Sequence, residues 1–310
     1  MRGPSKSAAV KLSTQEQIRR SMTLWQKYHL AHNVPDALQA LASAPGPARL
    51  VAGGTDLLLD LQQGRCPAVH TLVDVNGCAE LTALEVRADR LFIGAALPLS
   101  RLTASALVQE HAQALWEACG LIAGPQVRNT ATLGGNVAHA LPAGDGSIAL
   151  LALRASAEIA SLKGSREVPL ESLFLGPGRS ALIQGQELLV GFYLPLSRPG
   201  QASAFKRVMR PQGVALPVLN MAIWLQREGD ILADISIAIG PAGAVPCRAS
   251  EAEKVLRGQS PSPEALQLAA QVLIKSVHFR TSPHRASAGY RQHLAVWLLQ
   301  ETLGEALARG

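Results

Sequence analysis

Val51-Ala52-Gly53-Gly54-Thr55-Asp56-Leu57 and Thr132-Leu133-Gly134-Gly135-Asn136 are the two stretches on which the reading of this 310-residue chain turns. Each sets a glycine pair among small polar side chains. Backbone without a Cβ can approach a ligand closely, and successive N–H groups in such turns form concavities that hold anions. Thr55, Thr132 and Asn136 add hydrogen-bond donors without adding charge. Taken singly, a Gly-Gly pair is more often a tight turn; taken together, the two strings could clasp a pyrophosphate from opposite sides. Competing phosphate motifs are absent. No Lys-Ser/Thr follows the first string as a Walker loop requires. Neither string is a Gly-x-Gly-x-x-Gly opening a long helix, so a Rossmann nucleotide site is not indicated.

Outward from the first string, Asn33-Val34-Pro35-Asp36 reads as a helix start with proline in the first turn. Arg49-Leu50-Val51 reads as a short strand, residues 57–63 as a helical turn, and Thr71-Leu72-Val73-Asp74-Val75 as a strand. Two short strands, residues 84–86 and 91–94, flank an Ala88-Asp89 turn. Residues 100–120 read as one helical stretch leading to the second string, which reads as a loop, and residues 148–153 form a short apolar run. Pro195 to Gly200 is a linker and the preferred domain boundary. Beyond it, residues 215–225 and 231–239 read as strands of a hairpin turning at Glu228-Gly229-Asp230. Ser250-Glu251-Ala252-Glu253 reads as a capping box with Gly258 as the stop. Ser262-Pro263-Glu264 starts another helix, and a last helix spans about residues 287–307. Strands followed by helices make this tail α+β.

Composition narrows the function. Hydrophobic residues make up 48% of the chain, enough for a sizeable core, while aromatics are only 4%, so Ala, Leu, Val and Ile must build it. Charged residues are 17%; so little charge fits burial against partner subunits, or simply a composition rich in Ala, Gly, Arg and Leu. The net charge of +6 comes from scattered basic residues, without the basic–aromatic interleaving of a nucleic-acid surface. Cys66, Cys78, Cys119 and Cys247 match no zinc or iron–sulfur spacing; they read as buried free thiols in a reducing, cytoplasmic setting. No apolar run reaches membrane-spanning length. Residues 1–21 are polar and basic and read as an extension, with Met22 as a candidate natural start.

Ala52-Gly53-Gly54-Thr55-Asp56-Leu57, with Thr130-Ala131-Thr132-Leu133-Gly134-Gly135-Asn136-Val137-Ala138 and Pro142-Ala143-Gly144-Asp145, resembles the FAD-binding (medium) subunit of molybdenum hydroxylases, the carbon monoxide and xanthine dehydrogenase family. Ala204-Phe205-Lys206-Arg207 and Ser287-Ala288-Gly289-Tyr290-Arg291-Gln292-His293-Leu294 resemble further stretches of it. The resemblance implies an α+β fold: a two-lobed FAD-binding domain of the PCMH type over residues 22–198 (lobes 22–78 and 79–198), then a C-terminal domain of a small antiparallel sheet plus helices over 199–310. It implies that Val51, Ala52, Gly53, Gly54, Thr55, Asp56 and Leu57 wrap the pyrophosphate and adenosine side of FAD, and that Thr132, Gly134, Gly135 and Asn136 complete the clasp. Ile122 would pack near the flavin, Asp145 would hydrogen-bond the ribityl or adenine-ribose region, and Leu189 would lie on the isoalloxazine or the adenine. Lys206 would be a cation near the flavin. No histidine stands in residues 51–58 to tether the flavin, so FAD would be non-covalent. Two departures stand out: Leu141 occupies a position where serine is common, and Arg210-Pro211-Gln212-Gly213 lacks an aspartate that many relatives carry.

The implied function is electron transfer within a heterotrimeric molybdenum hydroxylase, with substrate chemistry on a partner, and no acid–base dyad, catalytic residue or metal site is evident here. The molybdenum cofactor would sit on a large partner subunit and the iron–sulfur clusters on a small one, in a dimer of heterotrimers. This chain would pass electrons from the clusters to NAD⁺, oxygen, a quinone or another acceptor. An alternative is a self-contained FAD-dependent oxidoreductase of the same broad fold, which needs Lys206, Arg207 or Arg210 facing the flavin. A scaffold protein that has lost its flavin is a third reading, which the intact glycine strings oppose.

Overall fold

The structure is a computed structural model that describes residues 24–210 and 216–310; the extension expected over residues 1–21 lies outside these. The first lobe is a parallel sheet in the order β1-β3-β2, formed by β1 (Trp25–Leu30), β2 (Ala48–Val51) and β3 (Val69–Asp74). Helix α1 (Val34–Ala42) crosses from β1, and α2 (Leu57–Gln62) follows β2. Asn33 caps α1 by accepting from the Asp36 N–H at 2.9 Å, a contact whose loss costs about 1 kcal/mol. Its buried stripe is Ala37, Leu38 and Leu41, the i, i+1, i+4 face expected of an amphipathic helix.

The second lobe begins with α3 (Ala79–Thr82) and the hairpin β4 (Leu84–Arg87) and β5 (Arg90–Gly94), where Ala88 adopts a left-handed φ of 54°. The stretch expected as one helix over residues 100–120 is three: α4 (Leu99–Thr103), α5 (Ala106–His111) and α6 (Gln113–Leu121). Ser105 caps α5 with its side chain, and Ala112 leaves helical geometry at φ −145° and ψ 51°. The apolar periodicity runs through both breaks and conceals them. After α7 (Pro125–Arg128) comes α8 (Leu133–Ala138), so the second glycine string, expected as a loop, is the first turn of a short helix. Helix α9 (Asp145–Ala152) holds the apolar run, and every one of its residues is buried.

Strands β6 (Ser156–Ser161), β7 (Gly164–Pro169) and β10 (Glu187–Pro195) join β4 and β5 in a five-stranded antiparallel sheet, order β4-β5-β10-β6-β7. A 3₁₀ turn (Leu170–Leu173) and the two-stranded pair β8 (Phe174–Gly176) and β9 (Arg179–Ser180) connect β7 to β10. None of β1, β6, β7 or β10 is apparent in the sequence.

The C-terminal part is a meander, β11 (Gln201–Met209), β12 (Pro217–Glu228), β13 (Ile231–Gly240) and β14 (Cys247–Arg248), backed by α10 (Ser250–Leu256), α11 (Pro263–Ser276) and α12 (Ala288–Leu307). Ser262 and Ser287 cap α11 and α12 through their side chains. The capping box expected at Ser250–Glu253 does not form. Ala249 is the cap residue, and Glu253 turns instead to Arg248 (2.6 Å) and the Ile237 N–H (2.8 Å). Side chains alternate across this sheet, as the strand period of two requires. Ala204, Met221, Ile223, Ile237 and Ile239 face α10–α12 in one core, while Phe205, Ala222 and Ala238 face α9 and the second lobe in the other. Helix α9 is therefore roofed by the C-terminal sheet, which is why it has no polar face. Of the four thiols, only Cys78 and Cys119 are buried; Cys66 and Cys247 are partly exposed. Burial pushes the Cys119 thiol up and holds Cys78 and Cys247 at about 11, so all three stay protonated at neutral pH. No helix among the described residues is long and apolar enough to cross a membrane.

Candidate functional site

The two glycine strings meet. A Cβ built on Gly53 would lie 2.2 Å from the Thr130 carbonyl oxygen and 2.9 Å from the Ala131 Cα, so the first loop rests on the backbone that leads into the second. Gly54 has φ +65°, the left-handed region that favours glycine. The turn carries the chain from β2 into α2 and leaves a run of donors behind. Among the described residues, the backbone N–H groups of Gly53, Gly54, Thr55, Asp56 and Leu57 donate to no acceptor in the protein. Thr55 and Asp56 are exposed. Consecutive free amides at a turn opening a helix are the donor set that a phosphate or pyrophosphate accepts.

The second string differs. In α8 the amides are already engaged: Leu133 N–H with Leu97 O (3.4 Å), Gly134 N–H with Ala95 O (2.9 Å), Gly135 N–H with Thr132 Oγ1 (3.1 Å) and Asn136 N–H with Thr132 O (3.1 Å). Gly134 is buried, and its Cβ would lie 2.5 Å from Ala95 O; this glycine answers to packing against the end of β5. Gly135 is exposed, and the only atom near its Cβ would be Thr132 Oγ1 at 3.2 Å. Asn136 Oδ1 accepts from the Ser147 N–H at 3.3 Å, tying α8 to the start of α9. Its side-chain N–H₂ makes no bond among the described residues. The two strings thus differ: the first leaves main-chain donors free, while the second presents an exposed glycine beside the side chains of Thr132 and Asn136.

A bridge between the halves was not expected. Asp56 Oδ2 lies 3.3 Å from His139 Nδ1, at the end of α8. The His139 hydrogen bond holds the Asp56 carboxyl below its ordinary 3.8, and the Asp56 hydrogen bond raises the His139 imidazole above its ordinary 6.5. The contribution of His139 is complete below 6.5 and fades as pH rises through its raised value. That of Asp56 is complete above 3.8 and fades as pH falls through its lowered value. The contact is therefore strongest between these limits and loosens on the alkaline side. With Asp56 largely in solvent its energetic effect is small. Protection from exchange of the Leu58 and Asp60 amides, which bond to the Gly54 and Asp56 carbonyls at 2.9 Å, should fall as pH rises through the His139 transition, and a His139→Gln variant should show no such step. A step that survives in the variant would remove His139 as its cause.

Asp145, the first residue of α9, is 4% exposed. Its Oδ2 accepts from Arg207 Nη1 at 2.5 Å and its Oδ1 from Asn220 Nδ2 at 2.5 Å. Burial pushes the carboxyl up, opposed by the adjacent Arg207 charge and the Asn220 hydrogen bond. Both oxygens are thus taken up inside the protein, on the C-terminal sheet. Lys206 does not join this group. It shares strand parity with Ala204, faces α12, and its Nζ lies 3.3 Å from Glu305 Oε2. Arg207, on the opposite face with Phe205, is the cation that points toward the second lobe. Reading β11 as a strand would have revealed this parity; the resemblance drew attention to Lys206 instead. Ile122 ends α6, half-buried against the main core, and its carbonyl accepts from Arg128 (3.0 Å). Leu189 is buried in β10 opposite Ile159. The self-contained enzyme needed a cation free to face the flavin. Lys206 and Arg207 are ion-paired, and Arg210 donates to the His284 carbonyl at 2.6 Å. No cluster of metal-ligating side chains occurs among the described residues.

Comparison with known proteins agrees with this geometry. Residues 18–197 match the family described as FAD binding domain in molybdopterin dehydrogenase, and residues 203–306 match the CO dehydrogenase flavoprotein C-terminal domain. The chain is 32% identical to the xanthine dehydrogenase FAD-binding subunit of Escherichia coli O157:H7, over 91% of its own length and 96% of that protein's. It is equally 32% identical to the nicotine 6-hydroxylase medium subunit of Paenarthrobacter nicotinovorans, covering 91% and 98%. Its structure is similar to a chain of carbon monoxide dehydrogenase from Hydrogenophaga pseudoflava, with a TM-score of 0.86 at 29% identity, covering 92% and 98% of the two chains.

Proposed function

Because this chain belongs to the family of FAD-binding subunits of molybdenum-containing dehydrogenases, we propose that its first glycine loop holds the FAD pyrophosphate through the free amides of Gly53 to Leu57. The run of unpartnered N–H groups is the observation that carries this assignment. Gly135 keeps the facing surface of α8 low enough for a ligand to approach, and the Thr132 hydroxyl and Asn136 amide supply further donors. Val51 and Ala52 set the loop at the end of β2. Ile122 and Leu189 lend apolar packing on the second-lobe side. Asp145 acts at one remove: held by Arg207 and Asn220, it fixes the start of α9, to which Asn136 is tied.

The chain is the FAD-binding, electron-transferring subunit of an oxidoreductase whose molybdenum cofactor and iron–sulfur clusters reside on other subunits. Bound FAD supplies a centre that accepts electrons singly and releases them in pairs. This chain's own contribution is to bind and orient it; no general acid or base is required. We further propose a dimer of heterotrimers in the cytoplasm, and a division of the chain between β10 and β11, at residues 195–201, into an FAD-binding domain of two lobes and a C-terminal domain.

Purification of the intact complex tests the reading. It should yield a heterotrimer containing molybdenum, iron and non-covalent FAD, with the flavin released by mild denaturation and recovered with this chain. Substrate should reduce the flavin in the complex but not in this chain separated from its partners. A colourless chain from an otherwise complete, active complex would overturn the assignment.

A further inference from the structure

Four arginines gather where α12 begins, and none has a carboxylate partner among the described residues. Arg291, in the first turns of α12, is fully buried. Its Nη1 donates to the Pro241 carbonyl, while Nε and Nη2 find no acceptor. Arg280 enters the preceding turn with its backbone N–H on Ala242 O at 3.0 Å, and its buried Nε is likewise without an acceptor. Arg285 sits on the same turn, its N–H bonded to Ser282 O at 3.0 Å. Arg210 donates from Nη2 to the His284 carbonyl of that turn at 2.6 Å. Burial and the neighbouring Arg280 charge lower Arg285; burial, Arg280 and Arg285 lower Arg291. The guanidinium groups are thus close enough to repel one another. The undescribed residues 211–215, Pro-Gln-Gly-Val-Ala, contain no acid that could neutralise them, and residues 1–23 contain only Glu16.

We propose that the turn of residues 279–287, through Arg280 and Arg285 together with Arg291 at the start of α12, binds a small oxyanion of the phosphate class. A buried guanidinium with unbonded N–H groups is costly, and packing like charges beside it adds to that cost. An anion that accepts from all three offsets both. Guanidinium forks suit phosphate oxygens geometrically. Among the described residues no hydrogen bond joins this turn to the glycine loops, and the proposal does not depend on the FAD assignment.

The test uses the FAD-loaded protein, titrated in separate arms with inorganic phosphate and with adenosine 5′-monophosphate, against sodium chloride at matched ionic strength. At about tenfold excess over its Kd, phosphate should raise the thermal midpoint by about 2 °C with no change in flavin absorbance. An Arg280→Gln/Arg285→Gln double variant should lose that shift, with affinity weakened at least about tenfold. The variant should also start from a higher midpoint in chloride, because removing charge relieves the repulsion; a purely structural role for these arginines predicts a fall. Tighter binding of the nucleotide would assign the phosphoryl group to a nucleotide, and tighter binding of phosphate to the free ion. Equal midpoints in phosphate and chloride, an undiminished shift in the variant, or flavin release by phosphate would each overturn the proposal.

Discussion

An Arg207→Met variant is expected to be less stable than the parent by about 3–5 kcal/mol, the usual consequence of removing one partner from a buried ion pair. Methionine keeps the length of the side chain but strips the charge from beside Asp145, which is 4% exposed. Asn220 alone would then serve a carboxylate that has lost its counter-ion. Burial already pushes this carboxyl up, and without Arg207 it should rise further. A group whose pKa is raised by folding stabilises the fold while protonated and less so as pH climbs, so the deficit should shrink toward acidic pH. Urea unfolding at neutral and acidic pH measures both effects. An Asp145→Asn/Arg207→Met double variant should recover much of the loss, since no lone charge is left behind. If Arg207→Met unfolds within about 1 kcal/mol of the parent, the pair does not fasten the sheet to α9.

The second large effect separates two glycines that look alike in sequence. Gly53→Ala should damage the fold and the flavin site together, because its Cβ would sit 2.2 Å from a backbone carbonyl and one of the two loops must move. Gly135→Ala should leave folding nearly intact: alanine favours a helix by about 1 kcal/mol over glycine, which offsets the small shift that the Thr132 hydroxyl, 3.2 Å from the new methyl, must make. Its cost should fall on FAD, whose affinity is expected to drop at least about tenfold, or ~1.4 kcal/mol. Flavin fluorescence titration beside thermal unfolding distinguishes the two. Full flavin affinity in Gly135→Ala would show that α8 does not face the cofactor.

These glycines mark how far the sequence could be read. That both strings carry close approaches is visible in their composition. What approaches them is not: the atoms against Gly53 and Gly134 belong to Thr130 and Ala95, distant in sequence and brought near only by the fold. The same holds for secondary structure. The caps at Asn33, Ser262 and Ser287 and the hairpin at Gly229 are local chemistry and were legible. Strand β7 is almost wholly exposed, so it lacks the alternation that reveals a half-buried strand. Helix α9 is buried all round and lacks the opposite signal, an amphipathic stripe. Lys206 and Arg207 differ by one position, and only pairing with β12 decides which faces the cofactor domain.

The roofing of α9 has a consequence for how the subunit behaves as a machine. The linker at residues 195–200 looks like a place where the chain could be cut or could flex, yet the apolar helix α9 packs against elements on both sides of it. Fragments severed there should be sticky and insoluble, and recover only when coexpressed. Nor can the C-terminal sheet swing away during turnover without baring α9 to water. Any gating of electron flow must then come from surface turns or from neighbouring subunits, with the body of this one serving as a fixed spacer.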